Sequence, residues 1–233
     1  MLYICHIKQK HIMENSFKYW LYLHIVAGFL ALVVAPVAMV VKKGGNAHRL
    51  WGKIFFWSMT VVAISALVMT FIKSTVFLAL VAVFSFYLAA SGYRALYRKK
   101  INSIADVKLI DWILVSVSGI FALALIGFGL LLLSKNVSEP FGYISVVFGL
   151  IGSRSVYTDI KSFTIAGYHI KNWMFHHMSG MVGAYIATVS AFSAVNMQFL
   201  PAVISWLWPT FVGTPLLIFW IRKYRQKMAP KVL

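Results

Sequence analysis

The chain has 233 residues, 61% of them hydrophobic and only 12% charged, with a formal net charge of +17. A soluble domain is nearer half apolar and a quarter charged, so this balance excludes an ordinary water-solvated fold and makes lipid the expected solvent. The single cysteine, Cys5, cannot close an internal disulfide, and the basic residues lie between apolar runs, which excludes nucleic acid as the reason for the charge.

Residues 1–18 read as an N-terminal extension. Met13-Glu14-Asn15-Ser16 would make a natural start, so residues 1–12 are expected to be an upstream-start artefact. The first apolar run is Tyr19 to Val41, closed by Lys42-Lys43-Gly44-Gly45. Its core is longer than a signal peptide allows and it ends in lysines, so it is read as a retained helix. The second run spans Gly52 to Ile72 and the third Thr75 to Tyr93, with Lys73 between them. A basic stretch, Arg94 to Lys108, leads to the fourth run, Ile110 to Leu133. The fifth, Phe141 to Tyr157, is shorter and looser, and a re-entrant or interfacial segment is its alternative. After a polar segment come the sixth run, Trp173 to Asn196, and the seventh, Pro201 to Ile221, followed by a basic tail, 222–233. A span needs roughly 20 apolar residues to cross about 30 Å of hydrocarbon, and backbone in lipid must bond to itself. The expected fold is therefore all-α: one domain over 19–221 with seven transmembrane helices.

Charge sets the expected orientation. With seven spans, all but Lys8, Lys10, Lys18, Lys73 and Lys135 of the 22 Lys and Arg residues fall on one side. The positive-inside rule then puts the C-terminus in the cytoplasm and the N-terminus outside. Tyr19, Trp20 and Tyr22 mark the outer interface, and Trp51, Tyr93, Tyr97, Trp112, Trp173 and Tyr224 the inner one.

The five carboxylates, Glu14, Asp106, Asp111, Glu139 and Asp159, all read as loop or helix-end residues. Span centres without ionisable groups argue against a voltage sensor or a carboxylate proton relay. Histidines are the remaining candidates. His24 sits about one turn into the first run, His48 opens the second, and His176 and His177 open the sixth, with His169 in the adjoining loop. On this topology His48, His176 and His177 share a depth at the cytoplasmic side. His48 and His177 could ligate a b-type haem, with Arg49 and Lys53 near its propionates. Alternatively His48, His169, His176 and Asp159 could bind a divalent metal. Adjacent His176 and His177 project about 100° apart, which disfavours one ion held by both. The plainer reading is that these histidines cap helices and meet headgroups.

In the sixth run Ser179, Gly183, Ala187 and Ala191 recur every four residues, beside Gly180, Ala184 and Thr188. Such a stripe lets another helix approach closely. Tyr185, Ser190, Ser193 and Asn196 add polar groups for a cavity or a neighbour, and Pro36, Pro209 and Pro215 are expected kinks.

The strings His24-Ile25-Val26-Ala27-Gly28, Ala35-Pro36-Val37-Ala38, Lys43-Gly44 and His48-Arg49-Leu50-Trp51-Gly52-Lys53, with Trp206-Leu207-Trp208-Pro209-Thr210, carry a likeness. From Tyr19 onward the chain resembles an uncharacterised family of predicted bacterial multispan membrane proteins, marked by a His-x3-Gly helix and a His-Arg-x2-Gly turn. The resemblance implies a bacterial cytoplasmic membrane and transfers no activity. His48-Arg49 also has a weaker likeness to haem A synthase. The functional expectation is a non-enzymatic membrane protein handling a small molecule or lipid in a cavity among the first, second, sixth and seventh helices. His24, Ser179, Gly183, Tyr185 and Ala187 are its candidate cavity or packing residues, and the haem and metal readings stand as alternatives.

Overall fold

The computed structural model describes residues 2–100 and 103–228, and for residues 2–12 and 169–171 the backbone alone. The described residues form seven α-helices and one 3-10 turn, with no strand: α1 (Leu2–Val40), α2 (Asn46–Ile72), α3 (Val76–Arg94), the turn Ile104–Asp106, α4 (Leu109–Lys135), α5 (Pro140–Thr164), α6 (Tyr168–Asn196) and α7 (Ala202–Met228). All but α5 are long and apolar enough to cross a membrane, so the protein is a multispan helical membrane protein.

Helix ends differ from the apolar runs in an instructive way. α1 begins well before Tyr19, α5 continues to Thr164, α6 starts at Tyr168, and α7 runs on to Met228. Hydropathy marks where lipid contact stops, whereas a helix stops where its backbone bonds stop, and interfacial polar residues satisfy the second condition without the first. Two expectations change as a result. Asp159 lies inside α5 rather than in a polar connection, and His176 and His177 lie more than two turns into α6 rather than at its start. Pro36, Pro209 and Pro215 sit within helices that continue past them.

The chain divides into two units, Met1–Phe86 and Tyr87–Leu233, with the division inside α3. In the first, α1 buries Ala27, Ala31, Val34, Ala35 and Ala38, small side chains at three- and four-residue spacing that let α2 lie close. The α1–α2 connection is a short clamp. Gly44 takes a positive φ of 74°, which a residue without Cβ adopts at little cost. The last carbonyls of a helix lack intrahelical partners, and here Ala38 O accepts from His48 Nδ1 at 2.8 Å and Lys43 Nζ at 3.4 Å, while Met39 O accepts from Lys43. Arg49 Nε donates to Gly44 O at 2.9 Å, fixing the turn itself.

In the second unit, α4 buries Asp111, Val115, Ser118, Ala122, Leu125 and Gly129, a strict alternation of four- and three-residue steps. Along α5 the buried positions Gly142, Ser145, Gly149, Gly152, Val156, Asp159 and Phe163 step by three and four in the same way. This is the seam of two helices packed as in a coiled coil. Its partners run in opposite directions: Gly129 against Gly142, Ala122 against Gly149, Gly119 against Val156 and Trp112 against Phe163. Backbone proximity requires the glycines, since a Cβ on Gly142 would stand 2.6 Å from Leu133 Cγ and one on Gly129 2.7 Å from Gly142 O. α6 meets α3 at a second such crossing, where a Cβ on Gly180 would lie 2.5 Å from Gly92 Cα. α7 is tied to α6 by Trp208 Nε1 donating to Ser193 Oγ at 2.7 Å.

Gly180→Ala therefore forces backbone apart and is expected to destabilise the protein by about 1–3 kcal/mol. Gly127→Ala, where a Cβ meets nothing within 4 Å, is expected to stabilise by about 0.5 kcal/mol through helix propensity. Reversible unfolding in mixed micelles reads both, and equal signs for the two would contradict the crossing.

Candidate functional site

Five ionisable side chains converge at one end of the α4–α5 seam in the second unit. Arg94 ends α3, Arg98 follows in the next turn, Asp111 lies in the first turn of α4, Asp159 near the end of α5, and His176 on α6. Arg94 grips Asp111 in a two-pronged pair, Nε to Oδ1 at 2.9 Å and Nη2 to Oδ2 at 2.6 Å. Arg98 stands between the two carboxylates, with Nη1 3.3 Å from Asp111 Oδ1 and Nη2 3.4 Å from Asp159 Oδ1. Its Nη2 also reaches Ser91 O at 3.3 Å, and its guanidinium plane lies over the Phe163 ring at 4.8 Å. Asp159 accepts further hydrogen bonds from Tyr87 Oη at 2.8 Å and from Ser91 Oγ. His176 Nδ1 lies 3.6 Å from Asp159 Oδ1.

The cluster is dry. Arg98, Asp111 and Asp159 are each at most 2% exposed, so neither carboxylate can rely on water. Tyr87, Val107, Val115, Val156 and Phe163 form the apolar core around it, with Trp112 edge-on to Phe163 at 5.3 Å. Two arginines against two aspartates balance formally, and a buried carboxylate needs that balance, because its desolvation costs several kcal/mol. One atom is left over: Arg98 Nε is buried without a hydrogen-bond partner. A buried guanidinium donor without an acceptor marks a place for a polar ligand or a water.

The histidines divide by what they face. His24 Nδ1 approaches Val62 O at 3.1 Å and Ser65 Oγ at 3.0 Å, holding α1 to α2. His48 Nδ1 meets Ala38 O, and His177 Nδ1 meets Gly92 O at 2.9 Å near the end of α3. A carbonyl only accepts, so Nδ1 is the protonated nitrogen in all three. His176 turns instead to a carboxylate, which fits its offset of about 100° from His177 on the helix. His48 belongs to the first unit and His177 to the second. Arg49, expected beside a propionate, is engaged with Gly44 O. Of the metal candidates, His176 and Asp159 come together, and the His169 side chain lies outside the described residues. Among the described residues no three of His, Cys, Asp and Glu are grouped to hold a metal ion.

The small-residue candidates also sort themselves. Ser179 is exposed, Gly183 and Tyr185 are half-buried and Ala187 is buried, while the neighbouring Gly180 and Ala184 make the close approach. Sequence reasoning missed Arg94, Arg98, Asp111, Tyr87 and Ser91. The available signal was the seam register: Asp111 and Asp159 occupy the positions that the three-and-four spacing assigns to the protein interior.

The model of the family described as "Predicted membrane protein (DUF2306)" matches residues 21–139, just over half of the chain, and the chain belongs to that family. The match takes in Arg94, Arg98 and Asp111, while Asp159 and His176 lie beyond it. No curated protein and no solved structure matches the chain.

Arg98→Met leaves Asp159 without its arginine in a dry site and is expected to cost about 3–5 kcal/mol. Tyr87→Phe removes one of several donors to Asp159 and should cost about 2 kcal/mol. Equilibrium unfolding in micelles compares the two, and an equal loss would show that Arg98 is not the central tie.

Proposed function

We propose that this family member is a non-enzymatic, seven-span protein of a bacterial cytoplasmic membrane that handles a small polar molecule or lipid inside its second unit, at Arg98. The observation that carries this reading is the unpartnered Arg98 Nε within an otherwise saturated ionic cluster. Ionisable groups kept out of water in a membrane protein are costly and mark functional sites by default. The site differs from the cavity expected among the first, second, sixth and seventh helices, since its polar groups come from α3 to α6.

Support for the seventh span comes from α5 itself. Part of its polarity lies in Ser145, Asp159 and Ser162, all buried against protein, so those groups need not meet lipid, while its exposed Arg154 lies in the C-terminal half. Its 25 residues would reach about 37 Å at 1.5 Å per residue. An outside N-terminus and cytoplasmic C-terminus follow from the asymmetry of Lys and Arg across seven spans. The ligand assignment is tested by native mass spectrometry of the purified full chain. A discrete species retained by the wild type and lost on Arg98→Gln is expected; a wild type that retains none in repeated preparations would sink it.

A further inference from the structure

At the basic end of the second unit Asp111 and Asp159 are turned inward, while Asp106, in the 3-10 turn, is exposed. Asp111 and Asp159 are buried on Arg94 and Arg98, so neither offsets the cations outside. Around the first turns of α6 three of those cations are each laid on an aromatic ring. Lys99 Nζ sits 4.2 Å from the centroid of Trp173, Lys161 Nζ 5.4 Å from Tyr168, and the Arg225 guanidinium 4.8 Å from Phe175. The cations come from three different segments, the turn after α3, the end of α5 and the end of α7, while all three rings belong to α6. Lys99 and Arg225 are exposed and Lys161 is half-buried. Arg222, Lys223 and Lys227 continue the positive surface along the last turns of α7, all exposed.

Stacking on a ring fixes where each flexible side chain ends and lowers the entropy lost when a ligand is gripped. Tyr and Trp at this level are the residues that settle among headgroups. We propose that these ring-stacked cations around the start of α6 form a basic belt that holds the headgroups of anionic phospholipids, with Lys99, Lys161 and Arg225 each offering a positioned cation to a lipid phosphate. The site lies at the rim of the unit, separate from the Arg98 interior, and its existence does not depend on a ligand there. A zwitterionic headgroup brings its own cation beside the phosphate and is attracted less by the same surface, so the site discriminates by charge.

The test places the full chain in nanodiscs of phosphatidylcholine with a fixed fraction of phosphatidylglycerol and measures the lipid retained by native mass spectrometry. The wild type should retain phosphatidylglycerol in excess of the fraction offered, and the excess should shrink as salt rises. Replacing Lys99→Gln, Lys161→Gln and Arg225→Gln together should abolish it, each cation contributing about fivefold. Lys135→Gln, at the opposite end of α4, should leave it unchanged. Retained lipid that mirrors the offered mixture in the wild type overturns the proposal, as does an equal loss with Lys135→Gln. If the triple variant does not fold, Lys99→Gln alone and the salt series on the wild type decide the matter.

Discussion

The second unit is organised by a single electrostatic constraint: Asp111 and Asp159 are buried on facing helices, and Arg98 must stand between them. Two carboxylates removed from water are tolerable only with matched, hydrogen-bonded counter-charges. Arg98 supplies one counter-charge to both, and Arg94 closes the remaining side of Asp111. That requirement fixes the chain after α3, because the turn carrying Arg98 has to lie across the end of the α4–α5 seam. It also brings α6 in, since His176 faces the same Asp159.

Around this cluster the helices are joined by means that work without water. In lipid, apolar side chains gain nothing by leaving one hydrocarbon surface for another, so close packing and polar ties hold helices together. The glycine crossings of α4 with α5 and of α3 with α6 supply the first. Histidines supply the second: His24, His48 and His177 each bond a backbone carbonyl on a neighbouring helix or helix end. The His48-Arg49 pair, which in sequence suggests a cofactor ligand, is locally the clamp that ends α1 and shapes the turn at Gly44. The same pairing turns Asp111 and Asp159 away from the outer cations.

Much of the fold was legible because it follows from local composition. The apolar runs gave helices at every expected place, and the loose fifth run is the one helix that falls short of the apolarity of a span. Helix ends were less legible, because Asp159 looked like part of a polar connection until α5 proved to include it. A register argument would have recovered it. The steps from Gly142 through Ser145, Gly149, Gly152 and Val156 lead to Asp159, just as those back from Gly129 lead to Asp111. The Gly92–Gly180 contact could not be read so easily, since the stripe in α6 offered two adjacent small faces, one through Ser179 and Gly183 and one through Gly180 and Ala184. Only the partner's position chooses between them.

By itself the sequence determined that the chain lives in lipid as a set of helices, and it determined a strong bias of basic residues toward alternate connections. Those properties are sums over neighbouring residues, and a helix in hydrocarbon needs nothing beyond itself to satisfy its backbone. Tertiary structure alone decided which polar groups lie inside. Arg98 and Asp159 are 61 residues apart in the chain and 3.4 Å apart in space. Whether a carboxylate near a helix end faces headgroups or a buried guanidinium is a property of the pair, and no composition of either segment contains it.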